Sequence, residues 1–226
     1  MTGRQVLMAD DIKKAYSASK NIYDDTLTQS KWWSRLYINL FWGGINDNEI
    51  AGLVLDMIPP DFEGRLLDVP AGTGVFTAEK YASLPKADIV CLDYSEDMLA
   101  QAKKRFRSVS AENISCMQGD VGDLPFENES FDIVLSMNGF HAFPDKNKAF
   151  YETHRILKKG GMFCGCFYIR NENSRTDFIV NRLLAKKGWF TPPFQTSDEL
   201  SEKLSALYSS SQLQNQQAEA YFRCTK

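Results

Sequence analysis

The clearest chemical signal is a set of acids placed where apolar runs break into turns. In Leu66-Leu67-Asp68-Val69-Pro70-Ala71-Gly72-Thr73-Gly74 such a run ends on a carboxylate and enters a loop of small residues. Glycines there let the backbone approach a ligand closely, and a following helix offers unpaired N–H groups and the positive end of its dipole. Asp93, 25 residues beyond Asp68, closes a second run. An acid so placed can accept both hydroxyls of a ribose. Gly119-Asp120-Val121 follows a third run. A nicotinamide dinucleotide competes for this pattern, but Thr77 stands where the third glycine of G-x-G-x-x-G belongs.

The elements that must position these residues read as alternating strands and helices. Arg65–Val69, Asp88–Leu92, Ile114–Gln118, Phe131–Ser136 and Met162–Ile169 are predicted strands, several apolar on consecutive residues, as in strands covered on both faces. Ser95 is a candidate N-cap for a helix with the stripe Met98, Leu99, Ala102 and Phe106. Asp145 caps another, with the stripe Ala149, Phe150, Thr153, Ile156 and Leu157 and a stop at Lys158-Lys159-Gly160-Gly161. This alternation predicts an α/β fold with a doubly wound, mostly parallel sheet, whose ligands lie beyond the carboxyl ends of the strands. The search for function reduces to five turns, after Val69, Leu92, Gln118, Ser136 and Ile169. Ile50, Leu53, Val54, Met57 and Ile58 mark a helix stopped by Pro59-Pro60. Further on come a helix around Asp177–Lys187, a capping box at Thr196–Glu199, a last strand over Ala220–Cys224 and one more strand within Ser209–Gln217.

Composition narrows the class. With 43% hydrophobic residues among 226, the chain can build a sizeable core. A net charge of −3 supplies no basic face for nucleic acid. No apolar run reaches the ~18 residues of a membrane span, and the first twenty residues lack the apolar stretch of a signal peptide, so the expectation is a cytoplasmic protein. The five cysteines are odd in number and form no C-x-x-C pair, which predicts buried reduced thiols and no metal site.

Four segments in order, LLDVPAGTG, VCLDYSEDML, GDVGDLPFENESFDIVLS and ILKKGGMF, resemble the successive motifs of class I S-adenosylmethionine-dependent methyltransferases. The resemblance is closest to the ubiquinone/menaquinone-biosynthesis (type 11) branch and covers residues 64–170 well. It implies a Rossmann-like, seven-stranded sheet with an N-terminal helical lid. The chain is then one domain, 1–226: a helical cap over 1–60, a cofactor-binding core over 64–170, and C-terminal helices and last strands over 171–226. The implied cofactor is S-adenosylmethionine. Its methionine portion would lie in the loop Asp68, Pro70, Ala71, Gly72 and Gly74, and its ribose on Asp93. Tyr94 and Met98 would contact the adenine, with Asp120 and the Val121 N–H reading its polar edge. Met137 would line the transfer site. Pro70 departs from the family pattern, which usually has glycine there; proline removes one N–H from the loop.

Methyl transfer from a sulfonium needs alignment and desolvation more than acid–base help. His141, after the fourth strand, is the candidate base or substrate contact. The turn Ser136-Met137-Asn138-Gly139 lacks the Asn/Asp-Pro-Pro-aromatic run of methyltransferases acting on nucleic-acid bases or protein glutamine. Lys31–Trp42 reads as a lid helix walling an apolar pocket, with core packing or contact with a membrane surface as alternatives. Tyr23 resembles a cofactor contact of the same branch. The expected substrate is a small, apolar or aromatic molecule. The alternatives are a cofactor-binding partner subunit without catalysis and a nicotinamide-dependent oxidoreductase. The oligomeric state is left open.

Overall fold

A computed structural model describes residues 47–226. In chain order the elements are α1 (Asp47–Leu55), β1 (Arg65–Asp68), α2 (Ala78–Ala82), β2 (Asp88–Asp93), α3 (Glu96–Ser108), β3 (Ile114–Gln118), β4 (Phe131–Met137), α4 (Lys146–Ile156) and β5 (Leu157–Tyr168). There follow α5 (Ser174–Ile179), which runs into a π-helical turn at Val180–Leu184, then α6 (Ser197–Leu207), β6 (Ser210–Gln216) and β7 (Glu219–Thr225). The seven strands lie in the order β3-β2-β1-β4-β5-β7-β6, with β7 antiparallel to both its neighbours and the other pairs parallel. The doubly wound, mostly parallel sheet expected from the alternation is present.

Consecutive apolar residues in the strands feed opposite faces. Leu66, Ile89, Cys91 and Leu135 pack under α1, α2, α3 and α5, whereas Leu67, Val90, Leu92 and Val134 pack with Phe140 under α4 and α6. The helix starts follow their cap residues. Ser95 Oγ accepts from Met98 N, Asp145 Oδ1 from Lys148 N, and Thr196 and Glu199 form the capping box. All five cysteines lie in strands as free thiols, Cys116 half-buried and the others buried.

Two helix ends differ from expectation. α1 ends at Leu55, ahead of the proline pair, although Ile58 is still buried. α4 stops at Ile156, because Leu157 already pairs with Phe131. Lys158–Gly161 then bulge out before Met162 joins Ile133, with Gly160 at φ +76°. The polar stretch near the C-terminus is a full strand, β6, zipped to β7 over its whole length. The lid segment Lys31–Trp42 and Tyr23 lie outside the described residues.

Candidate active site

The sheet reverses its strand order between β1 and β4, and beyond their carboxyl ends lies a cleft of about 1180 Å³ counted out to open solvent. Four of the five expected turns line it: those after β1, β2, β3 and β4. The turn after Ile169 contributes no lining residue.

The β1 turn is built for close approach. Gly72 sits at φ +55°, with nothing within 4 Å of where a Cβ would point, and Gly74 at φ +68° packs against the Phe106 ring. Arg105 Nη1 donates to Thr73 O at 2.6 Å and ties the loop to α3. Asp93, at the end of β2, accepts from Gly72 N and Ser95 N, each at 2.8 Å. A carboxylate has about four acceptor sites, so capacity remains for a ribose hydroxyl. Gln118 Nε2 donates to Tyr94 O, joining the β2 and β3 turns. Asp120 Oδ1 accepts from Gly122 N at 2.8 Å, which fixes that turn. On the β4 side Asn138, at φ +54°, donates its N–H to Cys166 O. Gly139 packs on Pro70, where a Cβ would come within 2.3 Å of Cδ.

Electrostatically the floor of the cleft is set by two buried acids. Asp68 is 1% exposed, and its Oδ2 has no hydrogen-bond partner. Burial pushes its carboxyl up to about 8, with the Asp93 charge adding and the Tyr81 hydroxyl opposing. Burial likewise lifts Asp93 to about 6, against the backbone N–H groups of Ser95, Gly72 and Tyr94. Two acids crowded in a low-dielectric floor, one with an orphaned oxygen, are a site prepared for a cation.

Residues 66–161 match the family described as a methyltransferase domain. That stretch is similar in sequence and in fold to class I S-adenosylmethionine-dependent methyltransferases. The chain is 40% identical over 99 residues to the demethylmenaquinone methyltransferase of Staphylococcus aureus, a match covering 43% of this chain and 40% of that protein. The chain spans less than half the length of the curated relatives it matches. Among solved structures, the YcgJ protein of Bacillus subtilis superposes with a TM-score of 0.62 at 26% identity, covering 74% of this chain and 70% of that one. A Haemonchus contortus phosphoethanolamine N-methyltransferase solved with S-adenosyl-L-methionine shares the fold, with a TM-score of 0.66 at 16% identity, covering 88% and 58%.

Asp68, Pro70, Ala71, Gly72, Gly74, Asp93, Tyr94, Met98, Asp120, Val121 and Met137 all line the one cleft. His141 does not. Its ring stacks on Phe190 at 4.0 Å, Tyr168 N donates to its Nδ1, and burial holds its pKa down to about 3. The base expected at that position is therefore a neutral, packed imidazole behind the wall. Ala142, Phe143 and Pro144 take its place at the cleft, with Val75 and Phe76 from the β1 turn. Sequence reasoning missed these five. The available signal was their position: both groups sit in turns already singled out. Asp132 accepts from Arg65 N and Lys158 Nζ and braces the foot of β4.

Proposed function

We propose that this chain binds S-adenosylmethionine in the cleft and transfers its methyl group to a small, apolar or aromatic molecule. One observation carries the reading: four separate turns deliver a buried acid with one unpartnered oxygen, a positive-φ glycine cradle and two further acids to one cavity. The residues fit the cofactor. Asp68 and the Gly72–Gly74 loop would hold the cationic methionine portion, Asp93 the ribose, and Tyr94, Met98, Asp120 and Val121 the adenine. Bound there, the cofactor supplies an electrophilic methyl on a sulfonium.

The chain's own contribution is alignment and exclusion of water. Met137, Ala142, Phe143 and Pro144 give the acceptor side an apolar wall, which favours an apolar substrate and desolvates its nucleophile. Among the described lining residues the titratable side chains are Asp68, Asp93, Tyr94 and Asp120. The nucleophile accordingly relies on its own acidity, and in-line displacement then needs only positioning.

Calorimetry with S-adenosylmethionine and S-adenosylhomocysteine tests the first half. Micromolar binding that collapses in Asp93→Ala supports the reading, and no binding by the wild type overturns it. Turnover with a panel of phenols, amines and thiols tests the second half. Binding without any turnover would favour a partner subunit that has lost catalysis.

A further inference from the structure

Behind the cleft floor, two thiols face each other across neighbouring strands. The parallel register of β2 and β3 sets Cys91 opposite Cys116, and both pack against the same hydrophobic cluster, so their side chains leave one face of the sheet. Cys91 is fully buried, whereas Cys116 is half-buried on β3, the edge strand of the sheet. We propose that Cys116 and Cys91 are a peroxide-sensitive thiol pair that closes to a disulfide across β2 and β3 and thereby loosens the cofactor cleft.

The surroundings divide the labour between the two sulfurs. A hydrogen bond from the Cys91 thiol lowers Cys116 to about 7 against its partial burial, and the Lys103 ammonium on α3 adds to the effect. Burial keeps Cys91 a neutral thiol that can donate. A partly accessible thiolate beside a second thiol is the arrangement that oxidises reversibly. The Cys116 thiolate attacks a peroxide oxygen, breaking the O–O bond, forming the sulfenic acid and releasing hydroxide. Cys91 sulfur then attacks the Cys116 sulfur, giving the disulfide and water. Two electrons leave the thiol pair and reduce one peroxide. Cys164, Cys166 and Cys224 are buried thiols raised well above their ordinary pKa, and they stay reduced under the same treatment.

Coupling to the cleft follows from position and span. Cys91 lies two residues before Asp93, and Cys116 lies three before Gly119 and four before Asp120, all three of them cleft residues. Paired strands lie about 4.8 Å apart, while disulfide-linked residues prefer a Cα separation of about 5.5–6 Å, so closure spreads β2 and β3 just below both turns.

The test uses the intact chain. It is reduced, exposed to stoichiometric hydrogen peroxide, blocked with a maleimide and peptide-mapped, and S-adenosylhomocysteine binding is measured before oxidation, after it, and after dithiothreitol. The expected result is a Cys91–Cys116 cross-linked peptide and binding weakened about tenfold, the scale of one lost charge-assisted hydrogen bond, with recovery on reduction. Cys91→Ser should instead leave a Cys116 sulfenic acid that dimedone traps, and a melting profile like wild type shows that the variant folds. Cross-links through other cysteines, or no oxidation of Cys116, overturn the pair. A cross-link with unchanged binding overturns the coupling. Should the reduced chain bind no ligand, the peptide map still decides the pair and amide exchange at Asp93 and Ser95 decides the coupling, and the lost binding counts against the cofactor reading alone.

Discussion

Replacing Asp68 with asparagine separates what the cleft needs for binding from what it costs in stability. In the ligand-free chain burial raises this carboxyl from 3.8 to about 8. The folded chain therefore keeps its proton at neutral pH, where the unfolded chain has lost it. For a raised carboxyl, stability is fully present below the unfolded value and is lost as pH climbs toward the folded one. The loss amounts to about 1.4 kcal/mol per pH unit between roughly 4 and 8. At pH 7 that comes to about 4 kcal/mol relative to a neutral side chain of the same shape. At 1% exposure, no solvent screening reduces it. Asp68→Asn should thus melt at least several degrees higher than wild type at pH 7 and match it near pH 4, since each kcal/mol is worth about 2–4 °C in a chain of this size. The two melting curves should diverge steadily between those limits.

Binding should move the opposite way. A cationic ligand pulls the Asp68 carboxyl into its charged form, so wild type should release close to one proton on binding S-adenosylmethionine at pH 7. The release is read by calorimetry in buffers of different ionisation enthalpy. Asp68→Asn should release far less and bind roughly 10- to 100-fold more weakly, the range of a lost hydrogen bond to a charged group. Equal pH slopes of melting temperature in the two proteins, or ligand binding without proton release, would refute the argument.

Other substitutions probe other parts of the cleft. Asp93→Ala strips two buried acceptors from the N–H groups of Gly72 and Ser95 and should weaken cofactor binding at least about 30-fold while lowering stability by about 1–3 kcal/mol. Asp93→Asn, which keeps one acceptor, should fall between it and wild type in the same titration. Gly74→Ala meets a double obstacle, φ +68° and a Cβ 2.8 Å from the Phe106 ring, so it should cost about 1–3 kcal/mol in a denaturant melt and weaken cofactor binding as the loop shifts. His141→Gln should lower the melting temperature by breaking the stack on Phe190, while the pH dependence of turnover between 6 and 8 stays as in wild type. An inflection near 6.5 that disappears in the variant would restore the imidazole as a base.

The core of the fold and the acids that line the cleft were legible because both rest on local signals. Strands buried on both faces announce themselves as continuous apolar runs, and Asp68, Asp93 and Asp120 stand where those runs stop. Parallel topology does the rest, bringing the carboxyl ends of β1 to β5 to the same edge of the sheet. What failed depended on partners distant in the chain. Leu157 fits the apolar stripe of α4, and only its register opposite Phe131 makes it the first residue of β5. His141 occupies an informative turn, yet its ring is claimed by Phe190 and Tyr168, which come from beyond β4. Asp132 looks like a loose acid until Arg65 and Lys158 arrive from other elements.

The same contrast explains why the cofactor side is specified more sharply than the acceptor side. Ribose, adenine and a methionine ammonium each present polar groups at fixed places, and each demands a particular donor or acceptor on a particular turn. An apolar acceptor makes no such demand. Ala142, Phe143, Pro144 and Phe76 can wall a pocket by volume alone, so many sequences would serve as well and none carries a signature. The acceptor pocket is therefore best approached by changing its volume. Phe143→Ala widens the wall and also removes the ring against which Gly139 and Phe140 pack. It should broaden the range of acceptors methylated while leaving S-adenosylhomocysteine affinity within about threefold of wild type, since the acids proposed to hold the cofactor stand at the ends of β1, β2 and β3 and Phe143 follows β4. An affinity loss as large as that of Asp93→Ala, with acceptor range unchanged, would place Phe143 on the cofactor side and move the acceptor pocket elsewhere.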